Sequence, residues 1–275
     1  DNSPIEASAY IVTKDTVSLL AEQPREYTSR YVVVPIMERY KELIGKYKRI
    51  AVVGTPCQIN SLQRVKKAGM KILSIGVTCS SGTSYLATQE YKHLMKATDS
   101  VMYYRGNGWP GYNSLYMGEE SIENYHTGSL FERMFSSQIF KNPGCRKCSD
   151  HFAENADISF CDFWNAEEMS TEKIGNSCVI VRSKCGKRIF DDMISEGVVS
   201  VVRELEKKEV IKSQYGVLKA KKGNLKKKSG YTLFIWMIDI VRKTKVFRLF
   251  GLREYQKIAA TYSKLCNKSS LDFKD

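Results

Sequence analysis

Long apolar runs, histidine and a leader-like start are all scarce in this 275-residue chain, and each scarcity excludes something. No stretch approaches the roughly 20 apolar residues of a membrane-spanning helix. The longest candidate, Leu233 to Val241, is broken by Asp239. The opening "DNSPIEASAY" has no basic segment leading into an apolar one, so no signal peptide is expected; it also lacks an initiating methionine. Three histidines, His93, His126 and His151, leave little room for a nucleophile paired with a histidine base. None stands in a catalytic sequence context, and His151 is merely close to a cysteine-bearing loop. Internal repeats and nucleic-acid-binding motifs are absent, so nucleic acid is not an expected partner.

What remains is an ordinary globular composition, 43% hydrophobic and 27% charged, in a chain long enough for one large or two small cores. Eight cysteines without a secretory signal point to a reducing, cytoplasmic compartment, where thiols serve metals or catalysis more often than disulfides. Cys178, Cys185 and Cys266 stand alone in apolar or basic surroundings and read as structural. Charge is uneven. From Arg203 to the end there are 19 Lys and Arg against 7 Asp and Glu, which is nearly all of the net +13. A basic tail follows a nearly neutral body.

Short apolar runs alternate with helical patterns through the first half. Tyr10 to Thr13 and Thr16 to Leu20 read as short strands, Ile36 to Tyr47 as a helix, and Ile50 to Val53 as a buried strand. Gln58 to Lys67 is helical with Ile59, Leu62 and Val65 inward; Ile72 to Val77 is a strand and Tyr85 to Met95 a helix. This order predicts βαβ units and a parallel sheet. Further on, Val101 to Tyr104 runs into the glycine-rich "RGNGWPGYN", residues 114 to 125 read as a hairpin, and Leu130 to Phe140 as a helix. Ala156 to Phe160, Cys178 to Arg182 and Val198 to Val202 read as strands, and Gly186 to Ile194 as a helix. The fold class is therefore α/β, in part α+β: a mainly parallel or mixed sheet with flanking helices and a basic helical C-terminal segment. The lysine-rich stretch 219 to 230 marks the expected boundary between a domain over 1–222 and a tail over 223–275.

The cysteines carry the chemistry. In "AVVGTPCQIN", Thr55 suits an N-cap and Pro56 the first helical position. Cys57 then meets free backbone N–H groups and the positive end of the helix dipole, where a thiolate is favoured. The next strand, "ILSIGVTC", ends in Cys79. If the two strands are parallel neighbours, both thiols emerge at the carboxyl edge of the sheet, where open α/β folds hold ligands. "NPGCRKCSD" adds Cys145 and Cys148 in C-x-x-C spacing. Four thiolates suffice for one Fe–S cluster or a zinc ion; the alternative is that only Cys145 and Cys148 matter.

Taken in order, "VVGTPCQINSL", "YYRGNGWPG", "CRKCSDHFAENADISFCDFW" and "VIVRSKCGK" resemble the coenzyme F-420 hydrogenase/dehydrogenase beta-subunit family, from about 29 to about 222. The resemblance implies an oxidoreductase with FAD and a 4Fe–4S cluster, in which electrons pass between cluster and flavin and hydride between flavin and a small-molecule acceptor or donor such as coenzyme F-420. By motif position the cluster ligands would be Cys57, Cys79, Cys145 and Cys148. The family usually reads "CHG" where this chain has Cys79 followed by "SSG", and glycine where Cys161 stands. The cofactor-binding candidates are Thr55, Arg105, Gly106, Gly108, Trp109 and Asp162. Arg105 offers a forked donor for a pyrophosphate, the glycines permit close backbone approach, and Trp109 offers a ring for stacking. Trp164 is a weaker candidate, and Asp150 a cap for the cysteine loop. No catalytic residue is assigned. The resemblance also implies a ferredoxin-like domain or redox partner subunit, and it leaves open a non-catalytic electron-relay or metal-binding subunit.

In the tail, Leu233, Trp236, Met237, Ile240 and Val241 fall at helical spacing, followed by Arg242, Lys243, Lys245 and Arg248. Such a helix either lies peripherally on an anionic membrane or packs on the body with a solvated basic face. Steering an acidic redox partner is a third use of the charge.

Overall fold

The computed structural model describes residues 9–18, 29–65, 69–224, 229–268 and 270. Strand β1 (Arg49–Gly54) leads directly into helix α2 (Pro56–Val65), which turns Ile59 and Leu62 inward. Ahead of them, helix α1 (Ile36–Leu43) buries Tyr40 against Val52, Leu62 and Met70. Strand β2 (Lys71–Val77) lies parallel to β1, with Gly54 opposite Gly76, and strand β6 (Ile158–Asp162) is parallel to β2. Strand β7 (Ser177–Val181) runs antiparallel to β6, so the sheet order is β1-β2-β6-β7. Three parallel strands therefore end at one edge, and the segments carrying Cys57, Cys79 and Asp162 all leave from it. The sheet is mixed rather than wholly parallel, within the expected class.

The Asp157 carboxylate fastens this sheet. It accepts the Ser74 N–H at 2.8 Å and hydroxyl at 2.6 Å, and the Ser183 hydroxyl at 2.5 Å. Ser183 also caps helix α7 (Lys184–Ser195) by accepting the Gly186 N–H at 3.0 Å. One half-buried carboxylate thus joins β2, the start of β6 and the helix that follows β7.

A second, antiparallel sheet holds β3 (Val101–Gly106), β4 (Tyr112–Met117) and β5 (Glu120–Tyr125). Its inner face packs on helices α3 (Tyr85–Leu94) and α4 (Leu130–Ser136) through Tyr91, Tyr104, Leu115 and Phe131, all fully buried. Helix α5 (Pro143–Lys147) carries the first of the C-x-x-C cysteines, and α6 spans Ala166–Thr171. Helices α8 (Lys207–Ser213) and α9 (Tyr215–Lys222) return the chain to the body. The tail forms α10 (Ser229–Thr244), a 3-10 turn (Val246–Leu249) and α11 (Leu252–Asn267). Phe234, Ile238, Phe247 and Tyr255 join the same core as Tyr91 and Phe131. No described helix is long and apolar enough to cross a membrane.

Three expected strands do not form among the described residues. Residues 10–13 are irregular and 14–18 a turn, because no neighbouring strand pairs with them; Leu19 and Leu20 of that reading lie outside the described residues, as do Lys66 and Lys67 of the helix expected to end there. Val198 to Val202 runs without ladder partners beside α7 and β7, lining a cavity instead of extending the sheet.

Candidate functional site

At the carboxyl edge of β1, β2 and β6 lies a cleft of about 720 Å³, within the ~300–1,000 Å³ usual for small-molecule sites. Thr55, Cys57, Cys79, Arg105, Cys145 and Asp162 all line it. The first turn of α2 places Thr55 and Cys57. Gln58 secures that turn by accepting the Thr55 N–H at 2.8 Å and hydroxyl at 3.0 Å, so the Thr55 side chain donates rather than caps. The Cys57 sulfur stays exposed, 3.4 Å from the Thr55 hydroxyl.

Cys79 follows β2 and is tied back by its N–H, donated to the His151 carbonyl at 3.1 Å. Its thiol is pushed up to about 11, first by burial, then by neighbouring Cys145, Cys57 and Cys148, with the Lys221 ammonium opposing. Three thiols from two other segments therefore act on Cys79. Cys145 accepts the Gly82 N–H at 3.3 Å, and Cys148 stands 3.6 Å from the Lys221 ammonium behind the cleft wall. Among the described residues, no group of three or more His, Cys, Asp or Glu side chains is gathered closely enough to hold a metal ion. The donor set suits a thiolate-bound cluster in kind and number, and binding one would draw the four sulfurs together.

Two buried lysines stand beside these thiols, Lys141 (9% exposed) and Lys221 (6% exposed). Lys221 donates to the Asp150 carbonyl at 2.6 Å, and among the described residues neither lysine forms an ion pair with a carboxylate. Burial pushes Lys141 down to about 8, with Cys145 opposing. Buried cations without carboxylates fit a neighbourhood that is to hold anionic sulfur. Arg146, between the two C-x-x-C cysteines, reaches Asp239 on α10 at 2.9 Å and the Gln138 carbonyl at 3.2 Å, which anchors the cysteine loop to the tail.

The far end of the cleft is built around Arg105. Its guanidinium donates to the Pro110 carbonyl and the Asp162 carboxylate, both at 2.7 Å, and lies 5.2 Å over the Trp164 ring. Its remaining Nη2 is buried without a hydrogen-bond partner among the described residues, a donor left for an anionic group. Asp162 also accepts the Trp109 indole N–H at 3.2 Å. Trp109 itself stacks on Trp164 at 5.4 Å and packs against Gly175, where a Cβ would come within 2.8 Å of its ring. Gly106, Gly108 and Trp109 are not among the residues that line the cleft. The glycine-rich loop folds on itself: Gly111, at φ +88°, brings its Cα so near the Gly106 carbonyl that a Cβ would lie 2.6 Å from it.

A hydrogen-bonded strut joins the two ends. Buried His151 meets the Cys79 carbonyl at 3.1 Å through Nδ1 and Gln214 Oε1 at 3.0 Å through Nε2. Gln214 donates its amide to the Asp162 carbonyl at 2.5 Å. Sequence reasoning passed over Gln214, Lys141, Lys221 and Arg146 as site residues. Arg146 had a signal in its place inside the C-x-x-C pair; the others had none, because they come from distant segments.

Over residues 47–207, more than half its length, the chain matches the family model for the C terminus of the beta subunit of coenzyme F420 hydrogenase/dehydrogenase. It is 23% identical over 183 residues to the beta subunit of coenzyme F420 hydrogenase from Methanococcus voltae, covering 62% of this chain and 59% of that protein. It is 24% identical over 176 residues to the F subunit of the F(420)H(2) dehydrogenase from Methanosarcina mazei, covering 59% of this chain and 44% of that one. The chain thus spans about half the length of the curated relatives it matches. A solved structure of the F420-reducing [NiFe] hydrogenase complex from Methanosarcina barkeri contains a chain of the same fold, with TM-score 0.50, 19% identity, and 71% and 67% coverage of this chain and that one.

Proposed function

The chain belongs to the coenzyme F420 hydrogenase/dehydrogenase beta-subunit family, and from that premise we propose a flavin- and iron–sulfur-dependent oxidoreductase. It passes electrons between a 4Fe–4S cluster, FAD and a substrate that accepts or donates hydride, coenzyme F420 or another. The observation that supports this reading best is that Cys57, Cys79 and Cys145, from three separate segments, line one cleft, with Cys148 close enough to act on Cys79 from behind its wall. Cys57, Cys79, Cys145 and Cys148 would hold the cluster, and Arg105 and Asp162 would line the flavin end, with Thr55 a further flavin contact from its place beside Cys57. When bound, the cluster supplies one-electron exchange and the flavin the change to hydride chemistry. The chain's own residues orient and compensate. Lys141 and Lys221 place positive charge beside the sulfurs, Arg105 presents an unpaired donor to an anionic group, and the His151–Gln214 strut keeps the two ends in register.

Anaerobic reconstitution with iron, sulfide and FAD tests the proposal. Matching iron and sulfide plus bound FAD are expected, with iron lost in both Cys57→Ser and Cys145→Ser. Zinc in place of iron, or iron unchanged in both variants, would overturn it. A second reading, a non-catalytic relay or metal-binding subunit, draws on the packing of Trp109 against Trp164, which keeps that indole out of the cleft. Cluster without flavin would favour it.

The proposed partners are a ferredoxin-like domain or redox subunit and a small hydride acceptor or donor. The outer face of α10 bears Leu233, Trp236, Met237 and Ile240, all exposed, leading to exposed Lys243, Lys245 and Arg248. An apolar stripe ending in cations fits peripheral contact with an anionic membrane. Flotation with anionic vesicles is expected to carry the protein, less so for Trp236→Ser and less at high salt; equal flotation of both proteins would count against this contact.

A further inference from the structure

Cys161 and Cys178 face each other directly across the antiparallel pair of β6 and β7. They are 5% and 4% exposed and form one cluster with Phe163, against which Phe152, Ile180, Leu205 and Val210 pack. Opposed residues on such a ladder hold their Cβ atoms about 4.5–5.5 Å apart. A disulfide needs about 3.5–4.5 Å. The remaining gap is small, and β7 is the edge strand of its sheet, held by β6 on one side.

Access comes from two directions. Cys161 lines the cleft described above, while Cys178 lines a second cavity of about 1170 Å³ between β7, α7 and the unpaired Val199–Leu205 segment. Phe160 and Ser177 border both cavities, so the pair stands at the partition. The thiols also differ. Cys178, and not Cys161, borders the cavity beside β7, so a small disulfide entering there meets Cys178 first; the hydrogen bond between the thiols pushes Cys161 up and Cys178 down from their ordinary range.

We propose that Cys161 and Cys178 are a reversible cross-strand dithiol, oxidised by exchange with a low-molecular-weight disulfide that enters through the cavity beside β7. Cys178 sulfur attacks one sulfur of that disulfide, breaking its S–S bond and releasing one thiol, and a mixed disulfide forms. Cys161, on giving up its proton, attacks the Cys178 sulfur and releases the second thiol. Two protein S–H bonds and one external S–S bond are exchanged for one protein S–S bond and two small thiols. Transient, sensing disulfides of this kind are the form found in reducing compartments. The bond closes the segment 162–177, which carries Asp162, Trp164 and Gly175 and so packs both Arg105 and Trp109. Oxidation therefore ties down one wall of the cleft. Neither step uses a bound cofactor.

The test uses the full native chain in a series of glutathione to glutathione disulfide ratios, quenched by alkylation. Digestion with trypsin and an Asp-N protease isolates residues 157–161 and 174–182, each with one cysteine. The linked peptide pair is expected to rise with the disulfide fraction and to vanish with dithiothreitol. Cys161→Ser is expected to stop at a glutathione adduct on Cys178. The proposal is overturned if exposed Cys185 becomes glutathionylated while no linked peptide forms, if linkage requires denaturant, or if linkage persists under full reduction.

Discussion

Asp239 interrupts the longest apolar run of the sequence, and its partner explains why it is there. It meets Arg146 at 2.9 Å, with the two side chains 37% and 13% exposed, and so fastens the C-x-x-C loop to α10. Partial exposure limits the worth of such a pair to about 1 kcal/mol after solvent screening. A double-mutant cycle of Asp239→Asn with Arg146→Gln in denaturant unfolding is expected to give a coupling of about that size; a coupling indistinguishable from zero would make the contact incidental. His126 offers a pH prediction. Burial, then the Arg105 charge, holds its imidazole below the usual 6.5. The unfolded chain therefore binds a proton near that pH which the folded chain refuses, so this contribution is complete above about 6.5 and is lost as pH falls below it. Between about pH 7.5 and 5.5, wild type is expected to lose more thermal stability than His126→Gln. Equal losses would remove His126 from the account.

At the scale of elements, the parallel strands and the two turns that follow them were legible, because their signals are local. An apolar run ends in glycine, a proline opens a helix, and the spacing repeats, which puts Cys57 and Cys79 at one sheet edge. The failures concern pairing. Val198 to Val202 has strand composition, but β-propensity expresses itself only where a ladder accepts it, and here the segment lines a cavity. In "RGNGWPG", read as a cofactor loop, the sequence did not reveal that the backbone packs on itself and the tryptophan on Gly175, a residue with no sequence link to it. Gly76 shows a closer constraint than its unremarkable place in β2 reveals. A Cβ there would stand 2.4 Å from Ala153 Cβ and 3.0 Å from Ala156 Cβ, both in buried residues beside Ile59. Gly76→Ala is expected to cost about 1–3 kcal/mol by overpacking, and to loosen the turn carrying Cys79. Denaturant unfolding with unchanged slope and a lower midpoint would bear this out; an unchanged midpoint would mean the 153–156 turn yields freely.

Across the whole molecule, the charge count divides the chain at about residue 203, but the core does not. The basic tail presents its cations to solvent while sending Phe234, Ile238, Phe247 and Tyr255 inward, against residues of α3, α4 and the antiparallel sheet. Phe140 meets Phe247 at 5.1 Å and Tyr255 at 6.1 Å, and Asp239 holds the cysteine loop from the same side. Composition exposed the polar face of the tail and hid the apolar one, because partners on the body lie more than a hundred residues away. Full burial of large apolar side chains is worth roughly 1.5–3 kcal/mol each. Losing four of them approaches the whole ~5–15 kcal/mol margin of a typical domain. A chain stopped after Lys222 is therefore expected to be insoluble or molten, with exposed apolar surface that binds hydrophobic dye, rather than a smaller folded unit. The check is thermal unfolding of that truncation beside the full chain and a Phe247→Ala variant, which should fall between them. A cooperative transition in the truncation at the full chain's temperature would show that residues 1–222 carry a complete core, and that the tail is an attachment rather than a structural member.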